Sequence, residues 1–595
     1  MGTRHTYDMG IVGNCSFMAH VDTNARVVWL CWPRFDANAV FGRLLDAERG
    51  GEFSVLGEGP GQPLVQAYIR NTNVLQTDVS AAGGSYRVTD FAPRFARLGR
   101  YFKPLMLIRK VEPLAGAPIV RVACKPRGDY GRIKIHPHIA GNHLRFEAGG
   151  EALRLSANVP LSYIMSEAPF ILNETKYLIL TWDSLLEAPL ESTAEDYLQK
   201  TIAYWEEWAR KCAIGRFYQK EVIRSALALK LHQYEDTGAI IASGSASLPE
   251  APASGRNWDY RYCWLRDAYY TLTALSRISQ FDEMQQFAQF IENIPASVPG
   301  DRFPPVVRIT GALAIPERVV PLAGYDGHNS VRIGNQAYRH TQNDVYGQVI
   351  FALLQLYIDE RFPQVLKYSS KQLIMTILDR IGATLGEPDA TLWEYRTKVM
   401  RHCYTSLFHW VGSKAAQKIA RHYHDEEMLR TATKLVAKSA RMVEKCYDPD
   451  LGAYTAEPGS KTMDASLLQL IIMHFLDPHS DRAKNHLVAI ENALKTPEGL
   501  IYRYVDADDF GKPQVTFLVC AFWYVEALAI MGRFDDALRL FERLLGYGNH
   551  LGLFSEDVEA GTGSQWGNFP QAYSHVGLMN AVARITSNFE YPEFF

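Results

Sequence analysis

The stretch Asn257-Trp258-Asp259-Tyr260-Arg261-Tyr262-Cys263-Trp264-Leu265-Arg266-Asp267 stands immediately before an apolar helical pattern that starts at Ala268. Its eleven residues include four aromatic rings, two arginines and two aspartates. Aromatic faces beside fixed charged groups suit a polyol, because its C–H face can stack while its hydroxyl groups need donors and acceptors. A helix N-terminus with buried rings and an internal Arg–Asp pair explains the same residues. Partners elsewhere in the chain must therefore decide between the two interpretations.

Around this stretch, the chain after Arg216 carries apolar residues at helical spacing in many successive segments. The segments are 217–235, 264–280, 282–294, 339–359, 364–383, 397–422, 425–446, 463–476, 481–494, 515–532, 534–547 and 571–586. Short connections, as at 280–282, alternate with long connections rich in Gly, Pro and aromatic residues, as at 295–338 and 548–570. Six such hairpins predict a closed double ring of helices with the long loops gathered at one end. A linear α-solenoid is the alternative, but the segments share no fixed sequence period.

The first 185 residues have a different sequence pattern, in which β-branched and aromatic residues alternate in short segments between turn-forming residues. The clearest segments are 26–30, 85–90, 119–123, 143–147 and 177–182. Many short strands at this spacing predict an antiparallel β-sandwich. A helical pattern that starts near Ser192 and runs to Cys212 indicates a connecting helix, with Trp205 and Trp208 packed against a neighbouring domain. We therefore predict a sandwich domain (1–185), a helical linker (186–215) and a helical catalytic domain (216–595).

Composition argues against several classes of protein. The chain is 47% hydrophobic and 21% charged, as in soluble globular proteins, and its net charge of −3 without a long basic run argues against nucleic-acid binding. The most apolar helical segment, 515–531, is interrupted by Glu526 and is short for a membrane span. Residues 1–10 lack the apolar core of a signal peptide, and the eight cysteines are dispersed without a CxxC pair. We therefore expect a cytoplasmic protein with reduced thiols.

The seventeen histidines offer no set of ligands at metal-binding spacing, so we predict neither a metal site nor a cofactor. Two acidic residues on later loops are better candidates for chemistry. Glu394 lies between Trp393 and Tyr395, where an apolar pocket would keep it protonated as a general acid requires. Glu556, beside Asp557, precedes a polar, Gly-rich loop, where a carboxylate should stay ionised as a base that activates water.

One protonated and one ionised carboxyl group can together hydrolyse a glycoside. The first protonates the leaving oxygen while the second activates the attacking water. The alternatives are structural. Glu394 could neutralise the N-terminus of the helix that follows it, and Glu556 could be a solvated loop acid. The residues by themselves leave both alternatives open.

Motifs from both halves of the chain point to one family. They are Gly13-Asn14, Val27-Val28-Trp29-Leu30-Cys31-Trp32-Pro33-Arg34-Phe35-Asp36, Trp258-Asp259-Tyr260-Arg261, Trp264-Leu265-Arg266-Asp267, Val331-Arg332-Ile333-Gly334-Asn335, Asp344-Val345-Tyr346-Gly347, Leu392-Trp393-Glu394, Thr516-Phe517-Leu518 and Gly567-Asn568-Phe569-Pro570. In this order they resemble glycoside hydrolase family 15, the glucoamylase family, and particularly its bacterial branch with an N-terminal β-domain. The resemblance covers nearly the whole chain.

The resemblance implies a multidomain α and β protein, an antiparallel β-sandwich followed by an (α/α)6 barrel whose crater-like pocket binds the non-reducing end of an α-glucoside. Glu394 matches the general acid and Glu556 the general base of an inverting mechanism that releases β-glucose. Their carboxyl groups should then lie roughly 6.5–9.5 Å apart, with room for a water. Arg266 and Asp267 match the pair that holds hydroxyl groups of the terminal glucose. The predicted substrate-binding residues are Tyr260, Trp264, Arg266, Asp267 and Trp393.

Two positions depart from the family pattern. Tyr395 stands where fungal glucoamylases place a second acidic residue that helps bind the neighbouring sugar, and Asp326 stands where many bacterial relatives have an arginine. Both departures bear on the leaving sugar, so trehalose, isomaltose-type and short maltose-type substrates stay open.

The leading hypothesis is an inverting exo-acting α-glucoside hydrolase, glucoamylase-like or trehalase-like. One alternative is an inverting disaccharide phosphorylase, which replaces the base with bound phosphate; the presence of Glu556 argues against it. The other is a non-catalytic sugar-binding protein. The oligomeric state, monomer or homo-oligomer, stays open.

Overall fold

The structure is a computed structural model that describes residues 4–59, 61–148, 151–186, 188–294, 302–362 and 368–587. Its N-terminal part is built almost entirely of strands. They are β1 (Met9–Gly13), β2 (Met18–Asp22), β3 (Arg26–Cys31), β4 (Ala39–Phe41), β5 (Phe53–Gly57), β6 (Pro63–Tyr68), β7 (Leu75–Ala81), β8 (Gly84–Phe91), β9 (Phe95–Arg97), β10 (Arg100–Phe102), β11 (Met106–Gly116), β12 (Ile119–Cys124), β13 (Arg127–Gly128), β14 (Ile133–Lys134), β15 (Pro137–Ala140), β16 (His143–Ala148), β17 (Glu151–Ala157), β18 (Phe170–Ile171) and β19 (Lys176–Trp182), with one short helix, α1 (Leu161–Ser166).

Two large antiparallel sheets form from these strands. One has the order β1-β2-β3-β5-β12-β18, with β4 paired to β3, and the other has the order β15-β16-β17-β19-β11-β8-β7-β6. Val27 and Val55 of the first sheet share a buried cluster with Val88 and Leu107 of the second. The predicted antiparallel β-sandwich is therefore confirmed, and each of the five predicted strand segments lies within an observed strand.

The connecting helix α2 (Leu190–Arg210) joins the sandwich to the rest of the chain. Its first half packs Ala194 and Leu198 on the outer face of the second sheet, while Trp205 and Trp208 belong to the core of the helical domain. The helix begins two residues before the predicted start at Ser192, directly after a proline that fits the first turn of a helix. The limits of the three predicted regions, at 185 and 215, stay predictions.

Twelve helices follow among the described residues, and each overlaps one predicted segment. They are α3 (Gln219–Leu231), α4 (Leu265–Arg277), α5 (Asp282–Asn293), α6 (Asp344–Ile358), α7 (Tyr368–Thr384), α8 (Cys403–His422), α9 (Glu426–Glu444), α10 (Gln469–Ile472), α11 (Asp481–Leu494), α12 (Leu518–Ile530), α13 (Phe534–Leu545) and α14 (Ala572–Thr586). The start of the predicted segment 364–383 lies outside the described residues. Segment 397–422 becomes helical only at Cys403, so the predicted helix start immediately after Glu394 is wrong.

The even-numbered helices from α4 to α14 form an inner ring. Each contacts the next, α8 meets α10 through the 3-10 turn Ala465–Leu468, and α14 returns to α4. The outer helices are apolar on one side, as α13 illustrates, whereas α12 is buried all round because it lies inside. This closed double ring confirms the (α/α)6 barrel. No helix in the described ranges has both the length and the hydropathy needed to cross a membrane.

The loops of the barrel contain short paired strands. They are β20 (Gln233–Tyr234), β21 (Ala239–Ile240), β22 (Ala246–Pro249), β23 (Asn257–Asp259), β24 (Cys263–Trp264), β25 (Val306–Val307), β26 (Arg318–Val320), β27 (Val331–Ile333), β28 (Tyr447–Asp448), β29 (Ala453–Tyr454), β30 (Thr516–Phe517), β31 (Asp557–Val558) and β32 (Gln565–Trp566). Several lie directly before an inner helix: β24 precedes α4 and β30 precedes α12. The first turns of the inner helices and the long loops therefore meet at one end of the barrel.

Candidate active site

A single cavity at that end of the barrel brings together every site residue predicted from the sequence. Its walls include Tyr260, Trp264, Arg266, Asp267, Trp393, Glu394 and Glu556. Of the two departures from the family pattern, Tyr395 lines the cavity. Asp326 does not: it lies exposed on a 3-10 turn and is absent from the lining. The expectation that both departures lie near the leaving sugar is therefore wrong for Asp326.

The stretch 257–267 has two functions in the structure. Asp259 and Arg261 form a buried ion pair at 2.7 Å, and Arg261 also donates to the carbonyl of Ala37 at 2.6 Å and to the hydroxyl of Tyr130 at 3.0 Å. The guanidinium lies 5.6 Å from the ring centre of Trp29. All three partners belong to the sandwich domain. This pair therefore anchors the barrel to the sandwich, while other side chains of the same stretch line the cavity.

Glu394 is held by three hydrogen-bond donors on one oxygen. Its Oε1 accepts from Trp264 Nε1 at 2.7 Å, from Arg266 Nη2 at 3.2 Å and from Gln342 Nε2 at 3.2 Å. Oε2 has no hydrogen-bond partner within the described residues. The surroundings are thus polar, and the expected apolar pocket around Glu394 is wrong. Because Oε1 only accepts, a proton on this carboxyl group must sit on Oε2.

The backbone of Glu394 has φ of 58°, in the left-handed region. For a residue other than glycine this conformation costs roughly 1–2 kcal/mol. Arg266 holds the loop that carries Glu394, because its Nη2 donates to the carbonyl of Leu392 at 3.3 Å. Strain of this kind is typical of residues placed by their surroundings for a function. Glu394 does not cap a helix, which excludes the structural alternative for this residue.

Arg266 and Asp267 do not pair with each other. Arg266 instead forms ion pairs with Asp344 at 3.3 Å and Glu394 at 3.2 Å, and donates to Gln342 Oε1 at 2.6 Å. The internal Arg–Asp pair of the helix-start interpretation is therefore wrong for these two residues. Asp267 is buried at the cavity wall, and burial raises its pKa to about 7 against the opposing charge of Arg266.

Glu556 is buried, with only 1% of its surface exposed. Its Oε1 accepts from the hydroxyl of Tyr260 at 2.7 Å and its Oε2 from the amide of Asn568 at 3.3 Å. Burial and then the carboxylate of Glu250 raise the pKa of Glu556, and the Tyr260 hydrogen bond opposes them. The alternative of a solvated loop acid is therefore wrong, and burial disfavours the ionised form that was expected. Gly567 permits the close fit, since a Cβ there would lie 2.6 Å from that of Glu556.

Three carboxyl groups meet beside the cavity. Oxygens of Glu250, Glu556 and Asp557 lie within 4.8 Å of one another. Arg503 donates to Glu250 at 2.5 Å and so supplies a positive charge to the cluster. Both oxygens of Asp557 lack a hydrogen-bond partner in the described part of the chain, and burial followed by Glu556 raises its pKa. Burial therefore favours the protonated forms of Glu556 and Asp557.

Sequence reasoning missed several residues that position the two acids. Gln342 lies 52 residues before Glu394, and Glu250 lies 253 residues before Arg503. Nothing in the local sequence marks such partners. Asn568 is the exception, because it belongs to the quoted motif Gly567-Asn568-Phe569-Pro570.

Comparison with known proteins gives the family. Residues 216–583 match the model described as Glycosyl hydrolases family 15, and residues 4–167 match the one described as Trehalase-like, N-terminal. The chain belongs to glycosyl hydrolase family 15. It is therefore a glycoside hydrolase, and the resemblance seen in its motifs is confirmed.

Relatives within family 15 are similar over almost their whole length. The trehalase of Thermoplasma volcanium is 30% identical over 588 residues, which cover 97% of this chain and 93% of the relative. The trehalase of Mycolicibacterium smegmatis is 30% identical over 625 residues, with 97% and 91% covered. A bacterial glucoamylase solved with acarbose superposes with a TM-score of 0.70 at 15% identity, covering 99% of this chain and 95% of that one. The superposition shows that the two proteins share a fold.

Proposed function

We propose that this family 15 enzyme hydrolyses α,α-trehalose with inversion at the cleaved carbon. The observation that carries the proposal is that Glu394 and Glu556, from loops far apart in the chain, line one cavity and are each held by a residue of the same short stretch. Trp264 donates to Glu394 and Tyr260 donates to Glu556. The relatives named trehalase support the choice of substrate.

In the proposed mechanism Glu394 is the general acid. The three donors on Oε1 leave the proton on Oε2, from which it passes to the glycosidic oxygen as the C1–O bond breaks. The leaving glucose then departs as a neutral alcohol. Arg266 is a positioning residue, because its guanidinium is engaged with Glu394 and its neighbours.

Glu556 is the general base. It takes a proton from a water molecule whose oxygen forms the new bond to C1 from the opposite face, so the product is β-glucose. A carboxylate that holds a proton firmly is a stronger base, and the raised pKa of Glu556 therefore favours proton transfer from water. Asp267 accepts hydrogen bonds from hydroxyl groups of the bound glucose, while Tyr260, Trp264 and Trp393 shape its pocket. Solvent then returns both carboxyl groups to their starting states.

A phosphorylase is the competing function within this architecture. It requires a phosphate dianion at the position of the attacking water. Glu250, Glu556 and Asp557 place three carboxyl groups beside that position, and the guanidinium of Arg503 is already engaged by Glu250, so this cluster supplies little positive charge to hold a dianion. The cluster therefore favours water over phosphate. The eight free cysteines support a reducing compartment, and we place the enzyme in the cytoplasm.

The test is a substrate panel followed by proton NMR. Trehalose, maltose, isomaltose, kojibiose and nigerose are incubated with the enzyme in phosphate-free buffer, and the glucose anomers are recorded before they equilibrate. We expect trehalose to be cleaved fastest and to yield β- and α-glucose in equal initial amounts, the second being the leaving sugar. Faster cleavage of maltose would assign a glucoamylase. Release of α-glucose alone would refute inversion, and turnover only after phosphate is added would assign a phosphorylase.

A further inference from the structure

The first described residues of the sandwich domain lie against the catalytic end of the barrel. The amide of Gln565 donates to the carbonyl of His5 at 2.9 Å, and the amide of His5 donates to Ser564 Oγ at 3.1 Å. The amide of Tyr7 donates to Gln565 Oε1 at 3.1 Å. The segment 4–7 therefore lies beside β32 and is tied to it by one backbone hydrogen bond and two bonds to side chains.

The imidazole of His5 links two loops of the barrel. Its Nδ1 lies 2.7 Å from the carbonyl oxygen of Gln565, and its Nε2 lies 2.8 Å from the hydroxyl of Tyr325. The ring also stacks on Trp566, with centroids 4.4 Å apart and planes at 14°. Because a carbonyl oxygen only accepts, Nδ1 carries the hydrogen, and in neutral His5 the Nε2 atom accepts from Tyr325. The contact thus selects one tautomer and one ring orientation.

A series of contacts connects His5 to Glu556, the proposed base. Trp566 pairs with Asp557 across β31 and β32, one residue after Glu556. Gly567 follows Trp566 and packs against Glu556, and the amide of Asn568 donates to Glu556 Oε2. A shift of β32 would therefore move the surface on which the Glu556 carboxylate rests.

We propose that His5 is a positioning residue for Glu556, and that the sandwich domain takes part in catalysis by holding β32, the strand that leads into the residues packed against the base. The proposal rests on the function proposed above for Glu556. A single hydrogen bond of this kind contributes too little to stability to decide whether a chain of this size folds. A catalytic group displaced by about 1 Å, in contrast, can cost about 100-fold in rate.

The test uses the full chain with His5→Ala. We expect kcat on trehalose to fall about 10- to 100-fold, with KM changed less than about threefold, because the base acts only in the chemical step. The matched control is Lys103→Ala, which removes contacts from the sandwich to Glu235 and Asp236 of the barrel away from the cavity. An equal loss of kcat in Lys103→Ala, or none in His5→Ala, would overturn the proposal.

Two conservative variants separate positioning from general loosening. The side-chain amide nitrogen of His5→Asn can occupy the place of Nδ1 and donate to Gln565, whereas that of His5→Gln extends toward the place of Nε2 and Tyr325. We expect His5→Asn to recover most of kcat and His5→Gln less. Equal values in Ala, Asn and Gln variants would contradict a role through β32.

A double variant separates this proposal from the function on which it rests. If His5 acts through the base, adding His5→Ala to Glu556→Gln should lower kcat by less than about twofold, since the group that it positions is already lost. A full further loss would refute the link. If Glu556→Gln alone kept normal activity, the proposed function itself would fail, whatever the effect of His5→Ala.

Discussion

The two carboxyl groups of the cavity differ most in what surrounds them. Glu394 has 22% of its side chain exposed and concentrates three donors on one oxygen. Glu556 is almost completely buried and accepts one hydrogen bond from a hydroxyl group and one from a backbone amide. It also lies beside the carboxyl groups of Glu250 and Asp557. The residues next to each acid in the chain predicted the reverse. Partners distant in the chain therefore set the chemistry of a loop carboxyl group.

In the proposed mechanism, this contrast gives the two groups different tasks. The donors around Glu394 fix where its proton sits and which oxygen can deliver it. The burial of Glu556 makes its ionisation costly, and the same cost makes the ionised form a strong base. In the transition state, positive charge develops on the glucosyl ring. The carboxylate of Glu556 would lie beside this charge and stabilise the transition state.

Removal of either carboxyl group should have the largest effect. We expect Glu394→Gln and Glu556→Gln each to lower kcat on trehalose by about 10²–10⁴-fold, the contribution typical of general acid–base catalysis. Thermal unfolding should show that both variants remain folded. Retention of activity within about threefold in either variant would remove that residue from the mechanism.

Changes next to Glu556 should move the acid limb of the kcat/KM profile in opposite directions. Because burial raises the pKa of Glu556, we expect the wild-type limb well above the ordinary carboxylate range near 4.3. Tyr260→Phe removes a hydrogen bond that lowers this pKa, so the limb should shift to higher pH. Glu250→Gln removes a like charge, so the limb should shift to lower pH. Shifts in the same direction would contradict the account of the cluster.

As a control, Trp264→Phe removes a donor to Glu394 and keeps an aromatic ring against Tyr260, the donor to Glu556. Its acid limb should stay at the wild-type position even if kcat falls. A shift equal to that of Tyr260→Phe would show that the two carboxyl groups are not independent.

The sequence predicted the architecture well because the barrel and sandwich rest on local periodicity. The helical period of α13 and the alternation within β16 are visible in each segment alone, and the order of short and long connections is visible along the chain. Six of the seven predicted site residues lie in motifs that resemble the family, and Glu556 lies between two of those motifs. Their surroundings were not predictable. Whether Glu556 is solvated depends on Glu250, Arg503 and the cover of β32, which no local pattern reveals.

The smallest expected effect concerns a buried carboxyl group outside the cavity. Burial, and next Asp344, raise the pKa of Asp389 to about 7. Its neutral form is favoured in the folded state, so its contribution to stability is complete below about pH 4 and is lost as the pH rises through 7. We expect Asp389→Asn to gain stability relative to the wild type over this range, by at most about 1.4 kcal/mol per pH unit. Denaturant unfolding at pH 4 and pH 7 measures it, and a constant difference would contradict the prediction.

The most direct test of the two assignments compares trehalose with α-glucosyl fluoride, whose fluoride leaves without protonation. If Glu394 is the acid, Glu394→Gln should lose hydrolysis of trehalose but keep that of the fluoride within about tenfold of the wild type. If Glu556 is the base, Glu556→Gln should lose both. The opposite pattern, with fluoride hydrolysis preserved in Glu556→Gln and lost in Glu394→Gln, would exchange the two functions and contradict the account.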